Sequence, residues 1–229
     1  MIFGFSIAAA EATSNQTYRR NEYAVIRDGE APNGRLSIAA HGGGELGYDN
    51  FHLYLMAEPA HKTLARLEQI GPDLLDTGSD AYKAEWAADS GHVAVLYRAD
   101  RHILELRLYA IRDRRADPIF GPPLLDAAVK GKPKALADAR VNSSSTDLLW
   151  RGSTQFVLKE RHLFQTGTSE LAQIFGAFGR VIQQPQDGDA EPSYLIEFSA
   201  EAVCELRGAS RYRIVARKPG QFDQPEPAP

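Results

Sequence analysis

The stretch WAADSGHVAVLYRADRHILELRLYAI, residues 86–111, decides the fold that this chain can adopt. Near its start lie Asp89, Ser90 and Gly91, which are typical turn residues. Two apolar runs follow, separated by the short polar segment 99–101. The second run alternates, and one of its two sets of side chains is wholly apolar: Leu104, Leu106, Leu108 and Ala110. Because a period of two is the signature of a strand, the stretch predicts a β-hairpin whose apolar face belongs to the core.

Two other stretches have the same turn-and-strand pattern. The turn at Asn33 and Gly34 leads into a strand at 35–40, and Trp150 begins a third copy that we expect to reverse near Glu160 and Arg161. Period-2 runs predict further strands at 51–56, 63–67, 194–198 and 212–216. Helix signals are confined to 124–129 and 169–175. The chain is therefore predicted to be mainly β, with one or two short helices.

The segment from Trp86 to Ala94 resembles a blade of the WD-repeat-like β-propellers of the periplasmic Tol-system type. Those blades carry Trp-Ser-Pro-Asp-Gly before an apolar strand; Trp86 and Asp89 match, while other residues stand at the Ser, Pro and Gly positions. Partial matches occur at 32–36 and 149–153. The resemblance implies a propeller, or an incomplete propeller of antiparallel hairpin repeats, in which the indole fills the wedge between blades. An ordinary β-sandwich is the alternative.

Composition excludes several classes of protein. The 229 residues include 43% hydrophobic residues, which is enough for a packed core, and the net charge of −4 offers no basic footprint for a nucleic acid. A single cysteine forms neither an internal disulfide nor a thiolate metal site. No apolar run approaches the roughly 20 residues that cross a bilayer, so we do not expect a transmembrane protein.

The two ends differ from the middle of the chain. Residues 1–12 are small and apolar up to a small-x-small pattern at Ala10–Ala12, which indicates a signal peptide and a periplasmic or secreted protein; a first strand of a cytoplasmic protein is the alternative. Residues 218–229 contain four prolines and little to bury, which is typical of a disordered tail. We expect one mainly-β domain over 13–217.

Two short motifs resemble pieces of active sites. Asp76-Thr77-Gly78 is similar to the active-site turn of aspartic proteases, whose chemistry needs two carboxylates that share a proton. Asp-Thr-Gly occurs only once, and a protease that uses Asp76 is therefore expected to be a homodimer. The run 41–44, His-Gly-Gly-Gly, resembles the oxyanion loop of some lipases, but the Gly-x-Ser-x-Gly nucleophile is missing.

The remaining polar groups favour no chemistry. The histidines at 41, 52, 61, 92, 102 and 162 lack the spacing of a metal pair, and 187–191 lacks most ligands of a calcium loop. The segment from Arg98 to Arg115 holds six arginines against three acids, an excess that fits either a solvated face or an anionic partner. We assign no catalytic, cofactor-binding or metal-binding residue and expect no cofactor.

The sequence thus favours a non-catalytic, exported binding module with an unknown protein or small-molecule partner. Its binding loops are expected at 41–50, 112–122 and 183–193, because loops at blade edges carry recognition in such folds. The alternative is a dimeric, aspartic-protease-like hydrolase that uses Asp76.

Overall fold

A computed structural model describes residues 16–43, 50–70, 76–129, 131, 133–184 and 193–221. The expected signal peptide at 1–12, the acidic loop at 187–191 and residues 222–229 of the expected tail lie outside these ranges.

The described residues form thirteen strands and a few short helices. The strands are β1 (Ala24–Glu30), β2 (Leu36–His41), β3 (His52–Ala57), β4 (Lys62–Arg66), β5 (Tyr82–Trp86), β6 (His92–Asp100), β7 (Ile103–Arg112), β8 (Arg115–Ile119), β9 (Arg140–Arg151), β10 (Gln155–Thr166), β11 (Gly179–Gln183), β12 (Tyr194–Arg207) and β13 (Arg211–Pro219). The helices are α1 (Leu124–Ala128), α2 (Lys134–Ala137) and α3 (Glu170–Phe175), and 3-10 turns occupy Ser79–Ala81 and Gly176–Phe178.

The strands form one open mixed sheet. Its order is β11-β12-β10-β9-β7-β6-β5-β1-β2-β3-β4, with β13 beside β12 and β8 beside β7. Strands hold 57% of the described residues and helices 11%, which confirms the mainly-β prediction; the described strands do not close into a propeller.

Two parallel contacts divide this sheet into three antiparallel sections. Arg27 pairs with Lys83 between β1 and β5, and Ile103 pairs with Ser144 between β7 and β9. We call β1–β4 the first sheet, β5–β8 the central sheet and β9–β13 the third sheet. Within each section neighbouring strands are antiparallel, whereas each parallel contact consists of one residue pair.

The central sheet is buried on both of its faces. Val93, Val95 and Tyr109 pack into a cluster with the first sheet, which we call the first cluster. Ala94 and Ala110, from the opposite face, pack into a second cluster with the third sheet. Side chains of a strand alternate between faces, so two packed faces explain why β6 is apolar at almost every position.

The hairpin predicted at 92–111 is confirmed, but the prediction of which side chains are buried is only partly correct. β6 pairs with β7 in antiparallel register across a turn at 101–102. Leu108 is buried as expected, whereas Leu104 is 43% exposed because it lies near the turn, beyond the packed area. Tyr109, on the other face of the strand, which mixes polar and apolar residues, is fully buried in the first cluster. The wholly apolar set of side chains therefore identified only part of the second cluster.

The reversal expected near Glu160 and Arg161 is wrong. β10 runs through both residues and pairs with β9 on one side and β12 on the other. Glu160 is 7% exposed, and its carboxylate accepts hydrogen bonds from the backbone N–H groups of Leu124 and Leu125 at 2.9 and 3.1 Å. The polar residue lies inside a strand because a distant segment satisfies it.

The helix predictions at 124–129 and 169–175 are confirmed by α1 and α3, while α2 was not predicted. The expected loop at 112–122 is largely strand, since β8 occupies 115–119 of it. β13 extends to Pro219, two residues into the expected tail. No described helix exceeds six residues, so none of them could cross a bilayer.

Candidate functional site

Four aromatic side chains form a half-exposed patch on the first sheet, which we call the aromatic surface: Tyr23, His41, His52 and Tyr54. The rings of Tyr23 and His41 are stacked, with centroids 4.3 Å apart and planes 25° apart. Tyr54 meets Tyr23 edge to face at 5.6 Å and lies 6.1 Å from His41. His52 meets Tyr54 edge to face at 6.2 Å. These separations lie in the range in which aromatic pairs attract one another.

Strand register brings these rings together. His41 at the end of β2 pairs directly with His52 at the start of β3. Along β3, Leu53 and Leu55 belong to the first cluster, so alternation places His52 and Tyr54 on the opposite face. Tyr23 comes immediately before β1, whose Ala24 pairs with Ala40. The patch therefore lies on the side of the first sheet that faces away from the central sheet.

The polar atoms of the aromatic surface are largely available. Nδ1 of His41 lies 2.7 Å from the carbonyl oxygen of Glu22. Because a carbonyl only accepts, Nδ1 carries the proton, and Nε2 of the neutral ring is left as an acceptor. The hydroxyls of Tyr23 and Tyr54 form no hydrogen bond with any other described residue. Aromatic rings whose hydroxyl groups or ring nitrogens are available for hydrogen bonds are typical of a surface that binds a ligand.

The electrostatic environment keeps the patch close to neutral. Partial burial, helped by the nearby Arg66 guanidinium, holds the pKa of His52 below its usual value, and Glu68 opposes this shift. Burial also raises the pKa of Tyr54. Arg66 lies beside Tyr54 in the register and is itself bound by Glu68, with a shortest N–O distance of 3.0 Å. The charged groups at the patch thus compensate each other.

Asp76, the candidate catalytic residue of the sequence, is a buried structural group in this fold. Its side chain is 2% exposed, and the Arg98 guanidinium grips it through Nε to Oδ2 at 2.7 Å and Nη2 to Oδ1 at 2.6 Å. The backbone carbonyl of Asp76 accepts from the hydroxyl of Tyr82 at 2.6 Å. The next residue, Thr77, exchanges two hydrogen bonds with the backbone of Gln16, at 2.7 and 2.8 Å. The turn clamps the start of the described chain against the central sheet.

A second buried carboxylate lies in the third sheet. Glu197 is fully buried, with Arg161 Nε 2.5 Å from one oxygen and Arg180 Nε 2.7 Å from the other. The Arg161 contact is electrostatic, because its N–H does not point along the N–O line. Both arginines are about one third exposed, so they shield the carboxylate from water. This ion group ties β10, β11 and β12 together.

The other residues that the sequence singled out as possible binding or catalytic groups do not come together in the fold. His61, His92, His102 and His162 lie on separate turns and strands, and no three metal-binding side chains converge within the described ranges. In the arginine-rich segment, Arg98 is bound to Asp76, and Arg107 lies 2.7 Å from Glu105. Gly42 has φ +110, and a Cβ there would meet the carbonyl oxygen of Asn50 at 1.9 Å. That glycine is required by close backbone approach.

The aromatic surface was not predicted as a site. In the sequence, His41 and His52 are two separate histidines, and the expected binding loop at 41–50 lies between the two strands. The available signal was the hairpin itself. His41 ends one strand and His52 begins the next, so the two residues would pair if both strands were regular.

Comparison of the chain with protein-family models, with curated proteins and with solved structures found no match.

Proposed function

We propose that this protein is a non-catalytic binding module and that the aromatic surface of the first sheet binds its ligand. The observation that carries the proposal is the cluster of four half-exposed rings, in which the hydroxyls of Tyr23 and Tyr54 have no hydrogen-bond partner among the described residues. Tyrosine supplies contact area at low entropic cost, because few torsions have to be frozen. Such a surface fits a ligand with one flat apolar face and a few hydrogen-bonding groups, such as a sugar or a peptide segment.

The proposal includes a repeat relationship among the three sheets, of the incomplete-propeller kind. The indole N–H of Trp86 donates to the carbonyl of Gly29 at 3.1 Å, and that of Trp150 donates to the carbonyl of Glu85 at 2.8 Å. Both acceptors lie in the last two residues of the strand just before a hairpin turn, one sheet earlier than the donor. The same bond made twice between successive sheets supports common descent of the sheets from one hairpin unit.

Export to the periplasm belongs to the proposal as well, and it depends on residues 1–12. Mass spectrometry of the native protein tests it: a mature chain that begins at Thr13 supports export, and one that retains Met1 and Ile2 contradicts it.

The binding role is tested by removing the two tyrosines. The purified wild type and the pair variant Tyr23→Ser with Tyr54→Ser are immobilised and exposed to a glycan array and to a cell-envelope extract. We expect the pair variant to lose the ligand that the wild type retains, because half of the aromatic contact area has gone.

The matched control is the pair Leu104→Ser with Val141→Ser, which removes two large apolar side chains that are each 43% exposed elsewhere. It should retain the ligand. Equal retention by the tyrosine variant and the wild type, or no retention by the wild type above a blank surface, would contradict the proposed role.

The dimeric hydrolase remains the alternative function. No contact of Asp76 favours it, since Arg98 occupies both carboxylate oxygens. It predicts acid-optimum proteolysis of unfolded substrates that Asp76→Asn abolishes without unfolding the chain. An assay of the purified protein between about pH 3 and 6 separates the two functions, because that range brackets the titration of an aspartate.

A further inference from the structure

A groove runs along the outer edge of the third sheet. It encloses about 480 Å³ and is lined by Pro122, Ala127 and the β13 residues from Tyr212 to Arg217. This volume is in the range of sites that hold small ligands or short peptides. β12 occupies one edge of β13, and the groove lies along its other edge. The floor of the groove is therefore a strand edge that no described strand pairs with, and we call it the free edge of β13.

The edge of β13 already accepts another stretch of backbone. The N–H of Tyr212 donates to the carbonyl of Phe120 at 2.9 Å, and the N–H of Phe120 donates to the carbonyl of Ser210 at 2.9 Å. Phe120 then gives way to Gly121, where a Cβ would meet the ring of Tyr212 at 2.3 Å, and the chain turns away into α1. Residues of a strand that are two apart present their amides to the same side. The pairing that Phe120 begins can therefore continue from Tyr212 to Ile214 with a second extended chain, up to the bulge at Val215, which has no partner on β12.

The charge along this edge selects the occupant. β13 carries four basic residues and no acid among its nine residues, although the chain as a whole has a net charge of −4. Arg213 is bound to Glu205 and Lys218 to Glu201, at 2.7 and 3.1 Å. Arg211 and Arg217 form no ion pair with any described residue, and the Arg217 guanidinium lies 5.9 Å from the centroid of the Phe178 ring.

A second copy of the chain is a poorer occupant of the same edge. Pairing β13 with β13 of another molecule would set arginines opposite arginines, and like charges directly across strands are destabilising. The partner strand is also short, because Pro219 has no N–H to donate at the far end and Phe120 occupies the near end.

We infer that the free edge of β13 binds an extended acidic peptide by strand addition. Backbone hydrogen bonds in the groove give affinity, and Arg211 and Arg217 select acidic side chains. This surface is separate from the aromatic surface of the first sheet, so it adds a protein partner to the proposed module.

The test uses fluorescein-labelled peptides in which valine alternates with glutamate, with lysine or with serine, and their fluorescence anisotropy with the full chain. The glutamate series should bind and should weaken as salt screens the arginines. A glutamate peptide that is N-methylated at every residue should not bind, because neither of its edges can donate a backbone hydrogen bond.

Protein variants locate the binding edge. Ala127→Trp, which fills the groove, and Arg217→Glu, which reverses its charge, should each weaken glutamate-peptide binding by about tenfold or more. The control Arg35→Glu changes an exposed arginine in the first hairpin and should bind like the wild type. The tyrosine pair variant of the aromatic surface should also bind the peptide, so that the two surfaces are tested independently. Thermal unfolding of each variant verifies that it is folded.

Several outcomes would overturn the inference. They are no binding of any glutamate peptide, equal binding of the lysine series, undiminished binding of the N-methylated peptide, or wild-type affinity in folded Ala127→Trp. A concentration-dependent dimer in sedimentation that Ala127→Trp abolishes would assign the edge to a second copy instead.

Discussion

The two hydrophobic clusters differ in the aromatic residues that build them. The first cluster contains four buried tyrosines, Tyr18, Tyr82, Tyr97 and Tyr109, and a single buried phenylalanine, Phe51. The second contains four buried phenylalanines, Phe156, Phe164, Phe175 and Phe198. The difference follows from what each cluster has to hold. The first borders the segment 67–81, where the described residues form only one 3-10 turn, whereas the second is enclosed mainly by long strands.

The tyrosine hydroxyls secure that irregular segment. Tyr109 donates to the carbonyl of Glu68 at 2.5 Å, Tyr82 to that of Asp76, and Tyr18 to that of Thr77 at 3.0 Å. Burial raises the pKa of Tyr82 and Tyr109, so both hydroxyls remain protonated donors. A buried carbonyl without a partner is costly, and a sheet ladder is not available to these carbonyls. Tyrosine hydroxyls thus take the place of backbone donors where the chain is irregular.

The largest expected effect is that of Asp76→Asn in the first half of the molecule. The substitution leaves the Arg98 guanidinium, which is 15% exposed, without its counter-charge. We expect a loss of about 3 kcal/mol in the free energy of unfolding, measured by urea titration. Asp117→Asn is the control, because that carboxylate is 48% exposed and 4.0 Å from Arg115, and it should change little. A loss no greater than that of the control would show that the clamp is unimportant.

Phe156→Tyr tests the second cluster. Phe156 is fully buried among Trp150 and Tyr212, and the added hydroxyl would meet a packed apolar surrounding. The expected cost is about 2 kcal/mol, the price of burying a hydroxyl without a partner. Phe120→Tyr, at a residue 54% exposed, should be neutral. If both variants unfold like the wild type, the second cluster tolerates tyrosine and the contrast between clusters has no energetic basis.

Tyr109→Phe is the reverse exchange in the first cluster. It leaves the carbonyl of Glu68 without its donor, at a cost of about 1 kcal/mol. Tyr23→Phe removes a hydroxyl that has no described partner and should not alter stability. Differential scanning calorimetry of the two variants gives the comparison directly, and an unchanged melting temperature for Tyr109→Phe would remove the role assigned to the hydroxyls.

The smallest effect is a pH dependence at the junction of the sheets. Burial and the nearby Arg112 lower the pKa of His92, against the attraction of Asp89. The unfolded chain therefore binds a proton more readily than the folded chain, and stability falls as the pH drops below about 6.5, the value of an ordinary histidine. His92→Gln should flatten this part of the profile, as measured by urea titration at successive pH values. The same slope in the variant would assign the pH dependence to other groups.

Short, alternating segments between turns were predictable from the sequence, because strand and hairpin patterns are local. The hairpin of β6 and β7 and the helices α1 and α3 are examples. The continuity of β10 was not predictable, because Glu160 looks like a turn residue until the amides of Leu124 and Leu125 reach it from 35 residues away. The aromatic surface escaped prediction for a similar reason: its members come from three segments, and they become neighbours only through the pairing of β1 with β2 and of β2 with β3.

The single-pair contacts between successive sheets have a mechanical consequence. Arg27 with Lys83, Ile103 with Ser144 and the isolated bridge of Phe120 with Arg211 are the only pairings of residues by which the described parts of the sheets join edge to edge. Sliding one layer over the next would break few main-chain bonds and would instead force rings and methyl groups past each other. Like a layered solid, the molecule resists shear through the interlocking of its surfaces, at the density with which protein interiors are packed.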